Sequence, residues 1–158
     1  MDAEHELDYG RLKRCSLFGG ITEHAFDTLR PLLKYIRFAA GTSIVTEGSL
    51  NDRIYFIESG SVEIVKRTSA NLDAPVRRLT TMGPGDTFGE MELIDIQPCA
   101  ATVRTLGPTE TLSLSNHDLY RVSQVDMKTY ALIVMNLARD ISRRLRHMDD
   151  LFARSAAE

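Results

Sequence analysis

At 158 residues the chain has the length of one ordinary domain, and with 43% hydrophobic and 26% charged residues it is not a disordered one. Its apolar runs, such as residues 54–57 and 131–135, are too short to cross a bilayer, and no charged-then-apolar leader opens it. A net charge of −3 disfavours a nucleic-acid surface, and Cys15 and Cys99 cannot build a disulfide framework, which points to a reducing cytoplasm.

Residues 1–10 hold Asp2, Glu4, Glu6 and Asp8 without a lysine or arginine, and are expected to be a flexible N-terminus preceding one domain over residues 11–154. Over residues 11–35 apolar side chains from Leu12 to Leu33 recur at helical spacings, broken by Gly19-Gly20 and Pro31, with Thr22 placed as an N-cap. From residue 37 to 115 the chain reads as short strands separated by glycines. Val62 and Ile64 alternate with Glu63, and Leu112 and Leu114 with Thr111 and Ser113, the period of half-buried strands. The polar run 68–75 reads as a hairpin loop. Turns about every eight to twelve residues predict a mainly β protein, a β-roll or sandwich with flanking helices.

At Ser115 the period returns to helical, with Ser115 and Asp118 spaced as a helix start. A second helix is predicted over residues 126–154, roughly 40 Å long. Its apolar face is wide up to Ala138 and then narrows to Ile141, Leu145, Met148 and Leu151-Phe152. A wide face followed by a narrow seam predicts burial first on its own domain and then on a second copy, giving a homodimer. The competing reading folds the whole helix onto its own roll.

Residues 83–103, GPGDTFGEMELIDIQPCAATV, carry the most chemistry. Gly83 and Gly85 form a tight turn, Gly89 permits a close backbone approach, and Glu90 opens a helical turn whose free N–H groups favour an anion. The Glu90 carboxylate can accept hydrogen bonds from a sugar diol. Together these describe a pocket for an anionic group attached to a sugar.

This stretch resembles the phosphate-binding cassette of the cyclic nucleotide-binding domain family, of the catabolite activator and protein kinase A regulatory subunit type. The likeness extends over Leu17-Phe18, residues 26–33, 37–41, Glu47-Gly48, 52–60, 85–90 and 98–103. It implies a double-stranded β-helix, or jelly-roll-like roll, of about seven strands with N-terminal helices and a long C-terminal helix. It further implies that Gly89 and Glu90 bind a ribose hydroxyl, with Met91, Ala100 and Ala101 lining the pocket. Arg144, Met148 and Asp149 of the long helix become candidates to face a base. The residue after the cassette proline is an arginine in the family and is Cys99 here. Losing one member of such a charged pair costs about 2–5 kcal/mol. Three readings of Cys99 remain open: a degenerate pocket filled by a small side chain, weak cyclic nucleotide binding helped by an arginine such as Arg53 or Arg104, and a reactive thiolate.

The four histidines, His5, His24, His117 and His147, lie outside the expected roll, so no metal site of the cupin kind is expected, nor any catalysis. Residues 153–158 are too few for a DNA-reading module, and the start at Met1 favours a free-standing product. The expected function is therefore a cytoplasmic regulatory module that binds cAMP or cGMP weakly, is no enzyme and needs no cofactor. It would pair through its long helix, touch neither DNA nor membrane, and act on an unknown downstream protein. Ligand would shift the long helix about a hinge at residues 122–127. The alternative is a nucleotide-insensitive dimerisation module on the same fold.

Overall fold

The computed structural model describes residues 9–155. Helix α1 (Tyr9–Leu12), a 3-10 turn (Ser16–Phe18), α2 (Glu23–Leu29) and a second 3-10 turn (Arg30–Leu32) precede the first strand. Eight strands follow: β1 (Lys34–Phe38), β2 (Ser43–Val45), β3 (Arg53–Ser59), β4 (Val62–Arg67), β5 (Val76–Met82), β6 (Thr87–Phe88), β7 (Thr102–Thr105) and β8 (Thr109–Ser115). Helix α3 (Glu90–Asp95) interrupts them between β6 and β7, and α4 (Asn116–Val125) and α5 (Met127–Ser155) close the chain.

The strands form two antiparallel four-stranded sheets, ordered β1-β8-β3-β6 and β2-β7-β4-β5. Alternation along β3 explains the layering. Ile54 and Phe56 face the helices with Leu112, Leu114, Phe18, Leu29 and Ile133, forming one core. Tyr55 and Ile57 face the other sheet and meet Val45, Val62, Phe88 and Val103 in a second. The first sheet is thus covered on both faces. This is why Thr111 and Ser113, polar residues of a strand predicted to be half-buried, are wholly enclosed. Thr111 donates its hydroxyl to the Ile36 carbonyl, and Ser113 accepts from Arg53.

Several boundaries differ from those predicted. Tyr9 and Gly10, placed by the sequence reading in a flexible terminus, open α1; the Tyr9 hydroxyl donates to the Ile21 carbonyl and its ring packs against Phe26. The earlier acidic residues lie outside the described ones. Strand β1 begins at Lys34, inside the segment predicted to be helical, because pairing with β8 outweighs the helical spacing of the preceding leucines. Glu63 is buried rather than solvated: on the outer face of the second sheet it accepts from Nε of Arg78 (2.7 Å) and of Arg104 (2.8 Å).

The caps lie where the sequence put them. Thr22 accepts from the Ala25 N–H and Ser115 from the Asp118 N–H. Between α4 and α5 the chain turns at Asp126, whose carboxylate accepts from the Thr129 N–H (3.0 Å) and hydroxyl (2.6 Å). The buried residues of α5 all fall in its first half: Thr129, Ile133, Asn136, Leu137 and Asp140. Asn136 donates to the carbonyls of Leu17 and Gly19 (2.9 Å each), and the Ser16 hydroxyl donates to Asp140 (2.6 Å), tying α5 to the first 3-10 turn. Beyond Asp140 the helix projects an exposed row of Leu145, Met148, Leu151 and Phe152. Among the described residues no helix is long and apolar enough to cross a membrane.

Candidate functional site

The site begins at a turn that delivers β6. The Gly85 N–H donates to the Ile57 carbonyl and the Asp86 carboxylate accepts from the Gly83 N–H, both at 2.9 Å, so Thr87 and Phe88 pair with Phe56 and Tyr55. Gly89 follows with φ 83°, and a Cβ there would stand 2.5 Å from the Arg53 carbonyl oxygen. Only glycine fits both constraints. The Asn51 amide fixes the same point, donating to the carbonyls of Arg53 (2.7 Å) and Gly89 (3.2 Å).

Glu90 is the first residue of α3, and only 3% of it is exposed. Its Oε1 accepts from Arg144, which reaches across from α5 and also donates to the Thr87 carbonyl. Its Oε2 is buried and has no hydrogen-bond partner. Burial pushes the Glu90 carboxyl up and the Arg144 guanidinium pulls it back, burial being the stronger influence.

The other end of the cassette is pinned by backbone. The Cys99 N–H donates to the Ser49 carbonyl and the Gly48 N–H to the Cys99 carbonyl, both at 2.8 Å, while Lys66 donates to the Ala100 carbonyl at 2.7 Å. Between these ends lies a cavity of about 80 Å³, with Gly89, Glu90, Met91, Glu92, Ala100 and Ala101 along the cassette. Val45, Ile64, Phe88, Val103 and Arg144 complete its walls. Phe88 is held flat against Tyr55, the ring centroids 5.0 Å apart.

Six of the residues singled out from sequence are thus brought together: Gly89, Glu90, Met91, Ala100, Ala101 and Arg144. Cys99 and Asp149 do not line the cavity. The Cys99 side chain, small and apolar, packs into the core between the sheets, with the Ser49 hydroxyl 3.9 Å from its sulfur. Burial first, and then the negative charge of Glu92, push its thiol up, away from the thiolate form. Asp149 is exposed, more than a turn beyond Arg144 along α5. Nor do Arg53 and Arg104 supply the missing cation. Arg53 is bound to Ser113 (3.3 Å) and Arg104 to Glu63, while the guanidinium in the cavity wall is that of Arg144. Asn51, Lys66 and the Thr87 carbonyl were not foreseen; they act through backbone contacts that leave no spacing signal. Among the described residues no group of three histidine, cysteine or acidic side chains is placed to hold a metal.

A roll whose glycine-led helical turn buries a glutamate against a cationic side chain of the long helix defines a class. Residues 35–126 match the family described as Cyclic nucleotide-binding domain. The chain belongs to that family. It is 32% identical over 142 residues to a CRP-like cAMP-activated global transcriptional regulator of Mycobacterium tuberculosis, covering 90% of this chain and 60% of that protein. It is 29% identical over 138 residues to the Cyclic AMP receptor protein of Thermus thermophilus, covering 87% and 61%. The crystal structure of the Thermus thermophilus catabolite activator protein superposes with a TM-score of 0.73 at 29% identity, over 87% of this chain and 63% of that one. A cyclic nucleotide-binding domain from Methylobacillus flagellatus, at 23% identity, shares the fold with a TM-score of 0.79 over 89% and 78%. The chain spans about 60% of the length of the curated relatives it matches.

Proposed function

We propose that this domain is a cytoplasmic regulatory module, not an enzyme, whose cassette takes a ribose-bearing ligand of the cyclic nucleotide class weakly and passes its occupancy to α5. The observation that carries this reading is the half-satisfied Glu90 carboxylate: one oxygen held by Arg144, the other buried and free to accept. A buried carboxylate oxygen without a partner costs about 1–3 kcal/mol or more, and a ligand hydroxyl would remove that cost.

Arg144 supplies the coupling: this residue of α5 stands in the wall of the cavity and holds Glu90 there. A ligand that competes for Glu90 or for the space beside it therefore acts directly on a side chain of α5. The Asp126 turn, where the backbone dihedrals leave the helical region between α4 and α5, is the point about which α5 would respond. Its exposed seam then carries the signal to a second copy, with the downstream protein met by the resulting dimer. Weak affinity follows from Cys99, which offers a ligand phosphate no charge.

Thermal denaturation with millimolar cAMP, cGMP, adenosine or guanosine tests the reading. At a tenfold excess over Kd a ligand stabilises by about 1.4 kcal/mol, so at least one should raise Tm by a few degrees. A flat response to all four would leave the fold as a ligand-insensitive interaction module.

A further inference from the structure

We infer that the outer face of the second sheet carries a binding site for a small monocarboxylate, separate from the cassette. Side-chain alternation puts it there. Strands β4 and β7 turn Ile64 and Val103 towards the cassette cavity, and Glu63, Val65 and Arg104 to the opposite face. Arg67 of β4, Arg78 of β5 and Glu47, just beyond β2, join them around a cavity of about 530 Å³. Small-molecule sites span roughly 300–1,000 Å³.

Three guanidiniums and two carboxylates line this cavity, which leaves one net positive charge. Glu63 is held below its ordinary range by Arg104 and then Arg78, and Glu47 by the Arg67 N–H, so both are ionised near neutrality. Lys66 bonds the Ala100 carbonyl on the other face, and its charge, which also reaches Glu47, only adds to the positive sign. Glu63 is buried and both its oxygens are used, Oε2 by Arg78 (2.7 Å) and Oε1 by Arg104 (2.8 Å). It fixes two guanidiniums in place. Among the described residues no acceptor holds the Nη atoms of Arg78 or Nη1 of Arg104. Arg67 is bound least. Its side chain is 23% exposed, its Nε is buried without a hydrogen-bond partner, and Glu47 Oε1 stands 3.5 Å from that nitrogen.

Unused donors around one positive charge call for an acceptor with one negative charge. A carboxylate is planar and meets a guanidinium in two parallel bonds. A phosphate dianion would exceed the charge available and set surplus oxygens against Glu47. Val65 and Val76 give the cavity an apolar flank. That flank suits a short aromatic or branched body and offers nothing to a bare inorganic anion.

Titration of the full chain with benzoate, benzamide and inorganic phosphate, followed by amide NMR, tests this. Millimolar benzoate should give saturable shifts at Val65, Arg67, Arg78 and Arg104, with benzamide and phosphate at least tenfold weaker. R67M should weaken benzoate tenfold or more, and R67K, which keeps the charge and loses the planar fork, several-fold. Absent shifts, equal affinity for benzamide or phosphate, or benzoate affinity unchanged in R67K would overturn the inference. None of these outcomes bears on the cassette, whose response to cAMP or adenosine rests on other residues.

Discussion

The Glu90–Arg144 pair sets the energetics of the crevice. Burial raises the Glu90 carboxyl, so its own linkage contribution is present in acid and is lost as pH rises through its raised value. Arg144 limits that loss. Arg144→Met leaves a buried carboxylate without its counterion and should cost about 1–3 kcal/mol at pH 8, below the range for fully buried pairs because the guanidinium side chain is 36% exposed. Near pH 5 the unpaired Glu90 takes up a proton more readily and the penalty shrinks. Urea denaturation of both proteins at the two pH values checks this, and a gap that stays constant would contradict it. Gly89→Ala should cost about 1–3 kcal/mol in the same assay, since its Cβ would meet the Arg53 carbonyl oxygen in a left-handed backbone conformation. Gly89 and Glu90 were legible in sequence because a close-approach glycine beside an acid is a local signal. The direction of Cys99 was not, because it depends on which face of the loop the Ser49 and Gly48 bonds turn inward.

Helix α5 divides into a docked half and a free half. Asn136 is the principal polar tie of the first, and Asn136→Ala strands the Leu17 and Gly19 carbonyls, at an expected cost of about 1–3 kcal/mol in thermal unfolding. A loss under a few tenths of a kcal/mol would show that apolar packing alone seats the helix. The free half carries Ile141, Leu145, Met148 and Phe152 at spacings of four, three and four, with Leu145 60% and Phe152 76% exposed. The proposed dimer should sediment as such at micromolar concentration, and Leu145→Glu with Phe152→Glu should yield a folded monomer; a monomeric wild type would remove the seam. The wide-then-narrow apolar pattern was readable from periodicity alone. Arg144 was reached only through the resemblance, as a candidate to face a base; its bond to Glu90 was not readable, since only the docking of α5 at Asn136 and Asp140 fixes its register.

Across the whole molecule, carboxylates held below their ordinary range dominate the acid side. Glu63 is lowered by Arg104 and Arg78, Glu47 by the Arg67 N–H, Glu110 by Tyr35 and Ser59, and Asp126 by Thr129. Each contributes stability that is present above its unfolded value and lost as pH falls through the folded one. Tm should therefore hold near neutrality and drop below about pH 4; a Tm that stays flat to pH 3 would contradict this. Glu63 shows the limit of reading a sheet from alternation. Its outward position was legible, but its burial required knowing that β5 and β7 flank β4 and bring two arginines over it. The two-sided cover of β3 and β8 was hidden for the same reason, since alternation identifies faces and not what lies across from them.

The mechanical tie between pocket and helix is best tested by amide hydrogen exchange in α3 and in α5 beyond Arg144, with and without millimolar adenosine or cAMP. Ligand should change protection in both segments together in the wild type, and in α3 alone in the Arg144→Met variant. Wild-type protection that changes in α3 with α5 unaltered, or in neither, would contradict the account.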